Sequence, residues 1–302
     1  MKLSRMDLDG SGSGSPRGLV AKILKAEPGL IAPVPIEDLA RQLDIKEIRE
    51  IETDAFVGAL ITDDSRSQGF ILVQKGLHRV RRRFTIGHEL AHFLLTSHMV
   101  PSDGFKCTGE DMRRWADKSA SGLHKMEVEA NEFASLILMP PPLWRAETKK
   151  FRDPEISQVG ALAKKFDVSK EAAARNYADY HDERVAIAVV HRGQIDKVYR
   201  NFSRFPKLAV KRGDTMPKSS LIHRVPLTIG LPSQIDEARP EAWLASEWGN
   251  KPPALYEQVL HQQNGYAMVM LWAEAAEDEE SDSWGEKTSK QRLQDHQSRW
   301  KA

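Results

Sequence analysis

A single cysteine, Cys107, stands in a chain of 302 residues. An internal disulfide framework is therefore excluded, a cysteine-built zinc site is excluded with it, and a reducing compartment is favoured. Cys107 itself reads as an ordinary loop or buried thiol. No apolar run approaches the roughly 18 residues that a membrane-spanning helix needs. The opening Met1-Lys2-Leu3-Ser4-Arg5-Met6 lacks the apolar stretch of a signal peptide. These absences make the cytoplasm the expected location and exclude a membrane partner. An excess of one charge is missing too: 44 Lys and Arg stand against 43 Asp and Glu, a net charge of +1. Nothing in that balance marks a nucleic-acid binder.

What is present is enough for two or three domains, with 40% hydrophobic residues to build their cores. The strongest local signal is Arg83-Phe84-Thr85-Ile86-Gly87-His88-Glu89-Leu90-Ala91-His92. Val80, Phe84, Gly87, Ala91 and Leu95 recur at helical spacing, so the stretch is expected to be a helix ending near Ser97. Histidines four apart on a helix lie about 5–6 Å apart at Cβ and can converge on one ion. Glu89, about 100° around from His88, can reach a water on that ion and act as its general base.

A zinc enzyme needs a third protein ligand and an open fourth position. A second apolar helix, expected over Lys125 to Leu138 and stopped by Met139-Pro140-Pro141-Pro142, offers Glu127. Asn131, one turn on, would support the ligands from behind. Glu129 lies about 200° from Glu127 and reads as a solvated charge. His98 occupies the place of a third histidine in H-E-x-x-H-x-x-G-x-x-H, but Leu95 stands where that pattern needs Gly. If the helix continues, His98 faces about 240° away from His92, and it is expected to have no part in the metal site. The oxyanion-stabilising group is not readable; His98, His124 and Tyr177 are candidates.

Around this pair of helices the chain reads in order. Residues 1–15 end in alternating Gly and Ser, a flexible tail. A helix after Pro16 and a short one over Ile36 to Leu43 follow. Ala55 to Ile61 and Gly69 to Val73 read as a hairpin whose edge could hold an extended peptide. The basic run His78 to Arg83 reads as a solvated helix face. Residues 101–125 read as a long loop with one helical turn near Met112. Residues 156–180 have the spacing of a helix-turn-helix, but Lys170 to Arg175 is poor in side chains that read bases, so packing is favoured over DNA contact. Beyond residue 184, strands are expected at Val185–Val190, Ile195–Tyr199 and Tyr266–Trp272, with a helix over Pro253 to His261. The acidic, then mixed tail from Glu277 is expected to be disordered.

The motif around His88, together with Glu127-Val128-Glu129-Ala130-Asn131-Glu132-Phe133-Ala134 and Leu138-Met139-Pro140, resembles the ImmA/IrrE family of metallo-endopeptidases. Ile36 to Ile45 is similar to that family's N-terminal helix and turn. The resemblance covers residues 17–180, and residues 184–273 look like the sensor-type, GAF-like domain of the IrrE branch. It implies an α+β fold with a zincin-like metallopeptidase domain at 16–149, a helix-turn-helix-like segment at 150–183, a C-terminal α+β domain at 184–275 and a disordered tail at 276–302. It further implies zinc held by His88, His92 and Glu127, with Glu89 as catalyst. The substrate it implies is a helix-turn-helix transcriptional repressor, cut to release stress or mobile-element genes. A non-enzymatic zinc-containing transcription regulator and a toxin-like peptidase with a partner antitoxin are the other readings.

Overall fold

Ser15 and Pro16 start the first helix: the Ser15 hydroxyl accepts from the Gly18 amide, and Pro16 occupies a first-turn position that needs no amide donor. The structure, a computed structural model, describes residues 8, 14–101, 104–113, 122–151, 153–245 and 252–274. By their internal contacts these fall into two units: residues 1–144 with 164–169, and residues 145–163 with 170–302. The expected 1–15 and 276–302 tails lie almost wholly outside the described residues. Among those described, no helix is long and apolar enough to cross a membrane.

The first unit begins with α1 (Pro16–Ala26) and α2 (Ile36–Gln42). Strands β1 (Ile45–Ile51), β2 (Gly58–Thr62) and β3 (Gly69–Gln74) follow, then α3 (Arg79–Leu94), β4 (Phe105–Cys107) and α4 (Leu123–Leu138). The sheet order is β1-β3-β2-β4, with β1 parallel to β3 and the other pairs antiparallel. The expected hairpin is present as β2 and β3, with Leu60 opposite Ile71. Strand β1 was not anticipated. Its isoleucines 45, 48 and 51 recur every three residues, so the alternation that marks a half-buried strand is missing.

α3 and α4 pack closely through small residues. Gly87 is the contact point, since a Cβ there would lie 3.4 Å from the Ala134 Cα and Cβ. Ile86, Leu90, Phe93, Phe133 and Ile137 close the core around it, all fully buried. The basic run entering α3 is solvated at His78 and Arg79, but its later arginines are committed to the protein. Arg82 pairs with Glu37 and with Glu50, while Arg83 donates to the Val34 carbonyl at 2.8 Å. Arg79 and Arg83 both pair with the buried carboxylate of Asp167, at 2.6 and 3.1 Å. These arginines neutralise one another's partners and anchor the helix start.

α5 (Pro141–Thr148) begins inside the proline run expected only to terminate α4; Pro is tolerated in a helix's first turn, where no amide partner is needed. α6 (Ile156–Phe166) and α7 (Lys170–Tyr180) form the expected helical pair. Ala173, Ala174, Tyr177 and Ala178 of α7 are buried, and this helix packs on the C-terminal sheet. The contact division runs through the expected 150–183 segment, with 145–163 and 170–183 in the second unit and 164–169 in the first. Tyr177 is part of this packing: its hydroxyl donates to Gln158 Oε1 at 2.6 Å.

The C-terminal sheet is antiparallel throughout, in the order β6-β5-β9-β8-β7. It comprises β5 (Arg184–His191), β6 (Gln194–Arg200), β7 (Asp236–Ala238), β8 (Leu255–His261) and β9 (Tyr266–Ala273). The helix expected over 253–261 is instead strand β8. Its residues 255–260 are all buried, so the strand shows no in–out alternation to separate it from a helix. Glu257 and Gln258 can sit there because each is paired. Ser220 donates to Glu257, and Gln258 accepts from the Ile156 amide at 2.8 Å and donates to the Ser233 carbonyl at 3.0 Å.

Candidate metal centre

Helical geometry brings His88 and His92 to the same face of α3, and α4 lies against that face. Their Nε2 atoms are 3.1 Å apart. Glu127 of α4 reaches both, with Oε2 at 3.1 Å from His88 Nε2 and Oε1 at 3.5 Å from His92 Nε2. Both histidines are fully buried, and Glu127 is 14% exposed. Tetrahedral zinc, with Zn–N and Zn–O near 2.0–2.2 Å, would put such donors about 3.3–3.4 Å apart. The three edges of this triangle, at 3.1, 3.1 and 3.5 Å, fit an ion of that size.

Electrostatics point the same way. Burial alone would raise the Glu127 carboxyl, but hydrogen bonds to His88 and His92 outweigh it and hold it well below the usual range. Burial alone would lower His88, but Glu127, Glu89 and Asn131 reverse the direction and raise it. A pocket that draws a proton between an imidazole and a carboxylate is one that favours a cation. Burial pushes His92 down to about 3, leaving a neutral imidazole, the form that coordinates metal.

Each histidine is held from behind. His88 Nδ1 meets Asn131 Oδ1 at 2.9 Å, and the Asn131 amide donates to the Asp111 carbonyl at 2.9 Å. The amide can only accept through Oδ1, so His88 carries its proton on Nδ1 and presents a lone pair at Nε2. His92 is fixed by a longer relay. Its Nδ1 meets His98 Nδ1 at 2.9 Å, and His98 Nε2 meets Glu129 Oε2 at 3.1 Å. With a proton on His98 Nε2 donated to Glu129, His98 Nδ1 is an acceptor and His92 must donate from Nδ1. The Nε2 lone pair of His92 then faces Glu127.

His98 and Glu129 thus differ from expectation. α3 ends at Leu94, and Leu95 is already extended. Arg66, buried in the turn between β2 and β3, donates to the Leu95 carbonyl at 2.5 Å and also to that of His98. The chain bends back, and His98 lands behind His92 instead of facing away. Glu129, expected to be a solvated charge, is mostly buried and reaches His98. Second-layer partners of metal-binding histidines typically contribute about 10–100-fold in affinity. His98→Ala and Glu129→Gln are expected to weaken zinc binding by that factor in a competition titration against a chelator, without abolishing it. Unchanged affinity in both would remove the relay from the account.

Glu89 is fully buried beside the converging donors without joining them. Its Oε2 lies 3.8 Å from Cys107 Sγ, and its Oε1 has no hydrogen-bond partner. Burial pushes its carboxyl up to about 8. A neighbouring cation would act in the opposite direction and keep it ionised. Gly58 of β2 makes its room, since a Cβ there would fall 2.4 Å from Glu89 Oε1 and 2.5 Å from Thr85 Cγ2. Neither Gly58 nor the β4 segment was legible as part of a site. Phe105 of β4 stacks on the His92 ring with centroids 4.3 Å apart, and Cys107 Sγ lies 3.6 Å from His92 Nε2. Of the oxyanion candidates, His124 sits half-buried in the first turn of α4, three residues before Glu127. His98 is committed to His92 and Glu129, and Tyr177 to Gln158.

No curated protein matches the chain. Residues 41–177 match the family model of the IrrE N-terminal-like domain of the M78 peptidases. That range contains both helices, all four residues His88, Glu89, His92 and Glu127, and the strands that wall them. The match supports a metallopeptidase, and through residues 41–177 the chain carries an IrrE N-terminal-like domain of the M78 peptidase family.

Proposed function

We propose that the protein is a zinc-dependent endopeptidase in which His88, His92 and Glu127 hold the metal and Glu89 is the general base. One observation carries the reading: Glu89 is a fully buried carboxylate beside three converging donors, with one oxygen left without a partner. A structural metal site has no use for such a group, and burying it unpaired is costly. When bound, zinc supplies Lewis acidity that polarises a carbonyl and lowers the pKa of water toward about 7. Glu89 takes the proton of the attacking water and returns it to the leaving amine. The Asn131 amide and the His98–Glu129 relay keep both imidazoles in the required tautomer throughout.

The substrate we propose is a helix-turn-helix transcriptional repressor, met in the cytoplasm and cut to release stress or mobile-element genes. This follows the resemblance to the ImmA/IrrE family. The five-stranded antiparallel C-terminal sheet supports a sensor-type, GAF-like role for that domain. The test is incubation of the zinc-loaded protein with cognate candidate repressors, followed by mass spectrometry of the products. One discrete cut, abolished by a chelator and restored by zinc, is expected. Cleavage that survives complete metal removal would contradict the proposal.

A further inference from the structure

The triangle of His88, His92 and Glu127 has a fourth neighbour. Strand β4 pairs with β2 so that Cys107 lies opposite Gly58, the residue whose missing side chain opens the floor of the site. Cys107 is 1% exposed. Its Sγ belongs to one cluster with a nitrogen of His88, a nitrogen of His92 and an oxygen of Glu127, every pair of these atoms lying within 4.8 Å. The separation of Cys107 Sγ from His92 Nε2 is 3.6 Å. In a tetrahedral zinc shell with Zn–S near 2.3 Å and Zn–N near 2.0–2.1 Å, a sulfur and a nitrogen stand about 3.6 Å apart. The donor chemistry agrees: thiolate, imidazole and carboxylate are all zinc ligands. Glu89 also meets this thiol, with Oε2 3.8 Å from Cys107 Sγ.

We propose that Cys107 is the fourth protein ligand of the resting metal site, closing the position where a catalytic water would otherwise sit. This rests on the metallopeptidase reading above. On binding, the S–H bond of Cys107 would break as a sulfur–metal bond forms, and the proton would be released to solvent. The closed site is then inactive, since the position of the catalytic water is filled. Opening is the reverse: sulfur takes a proton from solvent as the sulfur–metal bond breaks, and water takes the vacated corner beside Glu89.

Cobalt(II) substitution of the full-length protein tests this, with Cys107→Ser and Cys107→Ala alongside. The chain has one cysteine, so a thiolate-to-cobalt charge-transfer band in the near ultraviolet has one source. The wild type is expected to show that band together with the visible bands of four-coordinate cobalt. Both variants should lose the ultraviolet band, keep visible bands, and bind cobalt more weakly. Visible bands in the wild type without the charge-transfer band would overturn the proposal and leave the three-ligand site standing. No cobalt bands at all, at stoichiometric metal, would overturn the metal reading and this inference with it.

Discussion

Glu89→Gln is expected to keep zinc at about one ion per chain and a near wild-type thermal midpoint, while losing proteolysis by a factor of at least 10²–10⁴, the usual contribution of a positioned general base. The substitution preserves the size and planarity of the side chain but removes its basicity. Glu89 is not among the three atoms that converge between α3 and α4, so metal retention should follow. Stability should hold or rise, because the native carboxylate is buried with Oε1 unpartnered, whereas a neutral amide carries a smaller desolvation penalty. Cleavage of a cognate repressor by both proteins, measured as initial rates with equal zinc content, reads the effect. Equal rates would remove Glu89 from the chemistry. A variant that is inactive because it has lost its zinc would instead make Glu89 a ligand.

The second large effect is on metal content. His88→Ala, His92→Ala and Glu127→Ala should each lose most of the zinc through desalting, since each removes one of the donors that converge on the ion. The contrast with His98→Ala and Glu129→Gln is the informative part. Those side chains are within hydrogen-bond reach of a ligand or of its partner, at 2.9 and 3.1 Å, yet they should weaken binding and not eliminate it. Full zinc retention in Glu127→Ala with loss in His98→Ala would transfer the third ligand to His98.

The parts of this site that the sequence discloses are those fixed by one helix's own periodicity. His88 and His92 must share a face because they are four apart, and Glu127 and Asn131 must share a face for the same reason. The apolar stripes beside these faces are visible in Gly87 and Ala91 of the first helix and in Ala130 and Phe133 of the second. What was illegible depends on distant residues. Arg66 comes from a hairpin about thirty residues before the carbonyls it captures, and without it nothing indicates that the chain turns at Leu95 and carries His98 back to His92. Cys107 and Phe105 lie in a segment whose Gly, Ser and Pro content reads as loop, and their strand exists only because β2 offers an edge. Strand β8 was hidden for a related reason. It lies between β7 and β9 and buries both faces, so periodicity carries no information there, and Glu257 and Gln258 find their partners on the 220, 156 and 233 segments.

Anomalous diffraction from zinc-loaded crystals, collected on either side of the zinc absorption edge, tests the central claim most directly. The account predicts one strong peak per chain, at about 2.0–2.2 Å from His88 Nε2, His92 Nε2 and a carboxylate oxygen of Glu127. A single peak bound to His98 and Glu129, or zinc present in stoichiometric amount with no peak between α3 and α4, would contradict it.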